Sequence, residues 1–273
     1  MKNLSKYITD KNTPTGFCQI CERHGKLKKD HVPPKAWRNP SHIEYVTSLE
    51  GITSTDIIRQ RAHGGVYFRT LCESCNSVLL GSMDRVFKEV VEQVRPALAF
   101  SRNGGVLESP YTVYCNTSDL IKASAGHILA AVRQSECSTP PEIPNHLSEM
   151  RDFLTGNRDN LDNVEARIWP YLNKKEVYVT RFQASSYIRQ RQLEPEVYST
   201  IACYPFGITF RLKSEKSQTL MTRGKVLPLD KDHFHIDLHE KIPKNYGIGI
   251  FDENKMLFGF GENGYHGSKN IEY

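Results

Sequence analysis

The sequence predicts an α+β protein: a small N-terminal module stapled by a metal, then an α+β domain with antiparallel strands. Three observations predict it. Two C-x-x-C pairs, Cys18-Gln19-Ile20-Cys21 and Cys72-Glu73-Ser74-Cys75, bracket 50 residues. A helical apolar period follows the second pair directly. From Val164 onward, short strand-like runs dominate. The expected division is 1–103 for the cysteine-bearing module and 104–273 for the second domain.

The elements follow in chain order. Residues 1–15 are polar and carry no periodic signal. Cys18–Cys21 reads as a zinc knuckle. Lys26–Val32 reads as a short strand stopped by Pro33-Pro34, since proline lacks a ladder donor. Residues 38–62 show no period and are expected to form an irregular loop. His63-Gly64-Gly65 marks a turn, and Val66–Leu71 a second strand. From Ser74, Val78, Leu79, Met83, Val86, Phe87, Val90, Val91 and Val94 recur at helical spacing as far as Pro96. Strand, loop, strand and helix make a ββα unit, with Cys75 and Asn76 at the helix start. Residues 96–110 are expected to be a linker. Ser118 is the expected N-cap of a helix through Val132, broken by the prolines of 138–144. A short helix over 146–155 follows. Strands are expected at Glu176–Arg181, Val197–Cys203, Ile208–Leu212, His233–Leu238, Gly247–Phe251 and Met256–Phe260.

Composition narrows the function classes. Of 273 residues, 38% are hydrophobic and 25% charged, a soluble globular balance. No apolar run approaches the roughly 20 residues of a membrane span. The start, Met1 to Tyr7, lacks the apolar stretch of a signal peptide. The expected location is the cytoplasm, where paired C-x-x-C motifs favour metal over disulfides. Cys115, Cys137 and Cys203 lack ligand spacing and read as small buried hydrophobes. Residues 1–103 hold 16 Lys and Arg against 10 Asp and Glu; the remainder holds 20 against 21. The formal excess of +5 therefore lies on the module with the motifs, which suggests a polyanionic partner.

Four thiols in two pairs suit one tetrahedral structural zinc held by Cys18, Cys21, Cys72 and Cys75. A module this small buries little apolar surface and needs such a staple. Between the pairs, Asp30-His31 joins an oxygen ligand for a hard cation to an imidazole that takes protons near neutral pH. Asn76 offers a neutral oxygen, or simply a helix cap. Lys28, Lys29, Lys35 and Arg38 stand around Asp30-His31, placed to meet phosphates. Trp37 reads as packing, and Asp84 as a surface ion-pair residue. Gly126-His127 reads as a close-packing glycine with a satisfied or surface histidine. His233, His235, Asp237 and His239 alternate with Phe234, Ile236 and Leu238, which reads as a polar strand face over an apolar one.

Taken together, C-x-x-C, then Asp30-His31-Val32-Pro33-Pro34-Lys35, then C-x-x-C-N entering a helix resembles the HNH endonuclease family. The resemblance covers about residues 16–95. It implies a ββα-metal fold with a zinc-stapled core and metal-dependent cleavage of nucleic-acid phosphodiesters, DNA above all. It implies His31 as general base, Asp30 and Asn76 as ligands of a catalytic Mg²⁺ or Mn²⁺, and the four cysteines as zinc ligands. Proteins of this general build often occur in bacterial restriction or anti-phage systems, so a homo-oligomer or a partner protein from such a system is expected. One departure stands out: residues 63–71 lack the family's middle Asn, which orients the base. The only Asn between the cysteine pairs is Asn39, eight residues after His31; His63, Arg69 or Thr70 are the substitutes nearby. The alternative is a catalytically degenerate zinc module that binds nucleic acid or a protein partner.

Overall fold

A computed structural model describes residues 15–37, 42–47, 60–63, 66–172, 174, 176–189, 192–213, 224–239, 255–258 and 264–268. The chain opens with β1 (Thr15–Phe17) and β2 (His24–His31), then β3 (His42–Thr47), β4 (Gln60–His63) and β5 (Tyr67–Cys72). β5 runs into a π-helix, Ser74–Leu80, one α turn, Gly81–Met83, and then α1 (Arg85–Arg102). Next come β6 (Tyr111–Tyr114), α2 (Thr117–Ala130), a 3-10 turn at Gln134–Ser138 and α3 (Asn145–Thr155). The rest is strand: β7 (Val164–Pro170), β8 (Glu176–Arg189), β9 (Gln192–Cys203), β10 (Phe206–Leu212), β11 (Lys225–Val226), β12 (His233–Ile236), β13 (Lys255–Phe258) and β14 (Gly264–Ser268). The fold is α+β with antiparallel sheets.

β1, β2 and β5 form one antiparallel sheet. A second, nine-stranded sheet has the order β11-β7-β10-β9-β8-β14-β3-β4, with β13 also paired to β8. β12 and β6 form a separate ribbon. On β12, Phe234 and Ile236 are buried and His235 exposed, so the alternation read from the sequence holds. No described helix is long and apolar enough to cross a membrane.

The structure departs from the sequence reading in three places. Part of the expected loop 38–62 is strand: β3 pairs with β4 and with β14, more than 200 residues away. Such pairing is supplied by distant chain, so no local period announces it. Pro96 does not end its helix; α1 continues to Arg102. Pro96 is exposed, and the helix beyond it buries Ala97 and Leu98, which offsets the missing backbone donor. The N-cap of α2 is Asn116, whose Oδ1 accepts from the Asp119 N–H at 3.0 Å. Ser118 donates instead to Asp230. The expected strand Gly247–Phe251 lies outside the described residues.

α2 is the central element. It is buried on nearly every face and packs against β2 and β5 on one side, β8 and β9 on another, and α3. A helix apolar all round belongs inside, and this one sits between the two sheets. The packed core is therefore continuous across residue 103. Trp37 is fully buried, stacked on Phe87 at 4.7 Å and Phe206 at 4.2 Å between ring centroids. That sandwich joins the segment after β2 to α1 and to β10.

His146 on α3 is 4% exposed. Burial, and then the Arg181 charge, push its pKa down to about 4. Its unfolded value is about 6.5, so the unfolded chain binds the proton more readily. Stability is then full above pH 6.5 and is lost as pH falls toward 4. Chemical denaturation is expected to show a loss of about 3 kcal/mol over that window, absent in His146→Gln.

Candidate functional site

The four cysteines meet. Their Sγ atoms all lie within 4.8 Å of one another, and Cys21 Sγ is 3.6 Å from Cys72 Sγ. Four thiolates on a tetrahedral zinc stand about 3.8 Å apart, given Zn–S bonds of about 2.3 Å. The donor set therefore fits a zinc-sized ion. The first pair is shaped by a knuckle. Glu22 takes a left-handed φ of 59°, the Glu22 N–H donates to the Cys18 carbonyl at 2.9 Å, and the Cys18 N–H to Arg23 O at 3.0 Å. The second pair comes from the end of β5 and the first turn of the π-helix. The Cys72 N–H points at Cys18 Sγ, 3.4 Å away.

The electrostatics of the cluster ask for a cation. A hydrogen bond from Cys75 draws the Cys18 pKa down to about 5. The same bond, burial and the neighbouring sulfurs push Cys75 far up, and burial raises Cys72. Four thiols this close cannot all ionise alone; a divalent ion lets them. Among the described residues, no other group of three or more His, Cys, Asp or Glu converges in this way. The histidines of β12 are engaged singly: His233 Nδ1 with Asp232 at 2.8 Å and His235 Nδ1 with Thr112 at 3.1 Å.

Asp30 and His31 end β2 and, as neighbours on a strand, point to opposite faces. Lys28 pairs with Leu71 and Lys29 with Arg69, so Thr70 is an extra residue on β5. The extra residue disturbs β5, where consecutive Thr70 and Leu71 are both buried. Asp30 is 4% exposed, while Lys29 and His31 face the other side with Arg69 and Tyr67. On that face Lys29 Nζ lies 4.4 Å from the Tyr67 ring centroid, and the His31 ring 6.1 Å from it. Lys26, Lys29 and Lys35 are exposed, and Lys28 pairs with Glu73. Arg38 lies outside the described residues.

Asn76 stands beside β2. Its Nδ2 donates to the Lys29 carbonyl at 2.9 Å, one residue before Asp30. A carbonyl only accepts, so the amide nitrogen must face it, and the Asn76 Oδ1 is turned away from the strand. Of the substitutes for the middle Asn, Thr70 is fully buried and donates to Ala130 O at 2.7 Å, away from His31. Arg69 stays on the His31 face. Of His63 only the backbone, in β4, is described.

Inside, Asp30 has partners the sequence did not point to. His127 on α2 is fully buried, with Nδ1 3.0 Å from Asp30 Oδ2 and Nε2 2.8 Å from Asp84 Oδ1. Both ring nitrogens meet carboxylates, so both carry protons and the ring is an imidazolium. Burial alone would push its pKa down; the charges of Asp30 and Asp84, with their hydrogen bonds, raise it to about 10. Asp84 is thus a half-buried member of the network rather than a surface residue. Gly126 makes the approach possible, because a Cβ there would collide with the buried Leu80 side chain. The Gly126-His127 dipeptide was the available signal, but its partners come from elements 43 and 97 residues away.

No family model matches the chain, and no curated protein or solved structure is detectably similar to it.

Two outcomes are expected. Cys72→Ser removes the bound zinc measured by elemental analysis and lowers the thermal midpoint. His127→Gln leaves two facing carboxylates without their cation and costs about 3 kcal/mol in urea denaturation; a change below 0.5 kcal/mol would refute the charged assignment.

Proposed function

We propose that the chain is a metal-dependent nuclease of the HNH type that hydrolyses phosphodiester bonds of DNA, with zinc as its structural staple. The observation that carries this reading is the joint placement of four clustered thiols, Asp30-His31 at the end of β2, and Asn76 tied to the Lys29 carbonyl. In this reading Asp30 and Asn76 would hold the hard cation. His127 holds Asp30 through Oδ2, which leaves Oδ1 as a ligand atom, and the Asn76 amide is oriented with its oxygen outward. Ligating carboxylates held by a second hydrogen bond are the rule at metal sites. When bound, Mg²⁺ or Mn²⁺ supplies Lewis-acid stabilisation of charge on the phosphate and leaving oxygens.

The remaining steps belong to the chain. His31 takes the proton of the attacking water, and its strand neighbours Tyr67 and Arg69 border the space in which the ring acts. Lys28, Lys29 and Lys35 contact backbone phosphates, which makes binding fall steeply with salt. The HNH resemblance implies a role in restriction or anti-phage defence, with a partner protein or as a homo-oligomer.

A second reading is a degenerate module that binds nucleic acid or protein without cutting. The burial of Asp30 against His127 favours it. Plasmid digestion separates the two. Wild type is expected to nick or cut with Mg²⁺ or Mn²⁺ and to stop with chelator. His31→Ala is expected to lose at least about 100-fold in rate while keeping its zinc and its fold. Binding without cleavage in either metal would establish the second reading; full activity in His31→Ala would remove His31 as the base.

A further inference from the structure

We propose that the cavity between the Gln134–Ser138 turn, the prolines of 140–144 and β8 binds a small monocarboxylate that also carries a cationic nitrogen: the class of free apolar α-amino acids. The cavity measures about 450 Å³, within the usual small-molecule range of about 300–1,000 Å³. It lies apart from Asp30, His31 and Asn76, and the proposal does not depend on the nuclease reading.

The carboxylate end is set by Arg181. This side chain lines the cavity, yet it is 3% exposed. Its one hydrogen-bond acceptor among the described residues is Gln19 Oε1, at 3.0 Å, and its Nε is buried without a partner there. Among the described residues no carboxylate lies at ion-pair distance. A guanidinium offers five N–H donors in a planar fork that matches a carboxylate. Burying one is costly; the Glu136 charge offsets part of that cost, and a carboxylate bound to the fork relieves more. Burial lowers its pKa to about 10, so it is still a cation at neutral pH. Gln19 is itself held, with Nε2 donating to Cys137 Sγ, so its oxygen stays turned to Arg181.

The rest of the lining selects the ligand. Glu136 and Glu142 border the same space. Both oppose a second negative charge, which disfavours phosphate and dicarboxylates, and the exposed Glu142 favours an ammonium beside the carboxylate. Phe182, Leu147 and the prolines offer an apolar wall to a side chain. Gln19 also donates its backbone N–H to Thr70 O at 3.0 Å and adjoins Cys18. The ligand would thus sit one residue from the metal knuckle.

Titration calorimetry on the full, zinc-loaded chain tests this with L-phenylalanine, L-phenylalaninamide, N-acetyl-L-phenylalanine and inorganic phosphate. L-phenylalanine is expected to bind saturably. The amide, which lacks the carboxylate, and phosphate, which lacks the ammonium and apolar body, are expected to bind at least about tenfold more weakly. Arg181→Met is expected to fold and to lose L-phenylalanine binding. Glu142→Gln changes an exposed residue, so folding is not at stake; it is expected to weaken L-phenylalanine and narrow its advantage over the N-acetyl form. No saturable binding of L-phenylalanine, equal binding of the amide, or an unchanged Glu142→Gln profile would each overturn the proposal.

Discussion

A charge buried in a protein has to be balanced where it lies, and His127 is balanced by two carboxylates from two different elements. Asp30 reaches it from β2 and Asp84 from the junction before α1. This one interaction fixes α2, β2 and the helix relative to one another. The glycine before the histidine lets the buried Leu80 side chain pack against the helix. A neutral side chain at 127 would leave two anions facing each other, so the three positions stand or fall together. The same contact sets the orientation of Asp30, the residue on which any catalytic cation would depend.

Charge balance also organises the other half of the module. The four thiols of Cys18, Cys21, Cys72 and Cys75 are too close to ionise unaided, and a divalent ion would let them. Alternation along β2 separates two faces of one short strand. Asp30 turns in to the His127 network, and His31 turns out among Lys29, Arg69 and Tyr67. Structure and proposed chemistry thus share three consecutive residues, and a one-residue change of register would exchange their roles.

Much of this was legible in the residues. The C-x-x-C pairs announce their own convergence, because matched spacing is a local property of a metal knuckle. The helix after Cys75 shows in its period, and the alternation of His233–Leu238 shows which side of that strand is buried. Trp37 was legible as packing, though not its stacking between Phe87 and Phe206. What did not show was anything whose partner lies far along the chain. β3 looks irregular because its ladder is completed by β14. Asp84 looks like a surface acid because its cation sits on another helix. Asn116 rather than Ser118 caps α2 because Ser118 is drawn to Asp230.

Composition and pattern alone marked the class of fold, the four thiols that converge and the residues grouped around Asp30-His31. These follow from composition, period and spacing, all of which act within a few residues. The folded arrangement set which way Asp30 and His31 point, that His127 is a buried cation, and that Arg181 lines a cavity with its Nε unpartnered among the described residues. Each of those depends on a helix docking or a sheet register, where the deciding partner comes from a remote segment. A side chain's charge state and direction are settled by what surrounds it, and the surroundings exist only once the chain has folded.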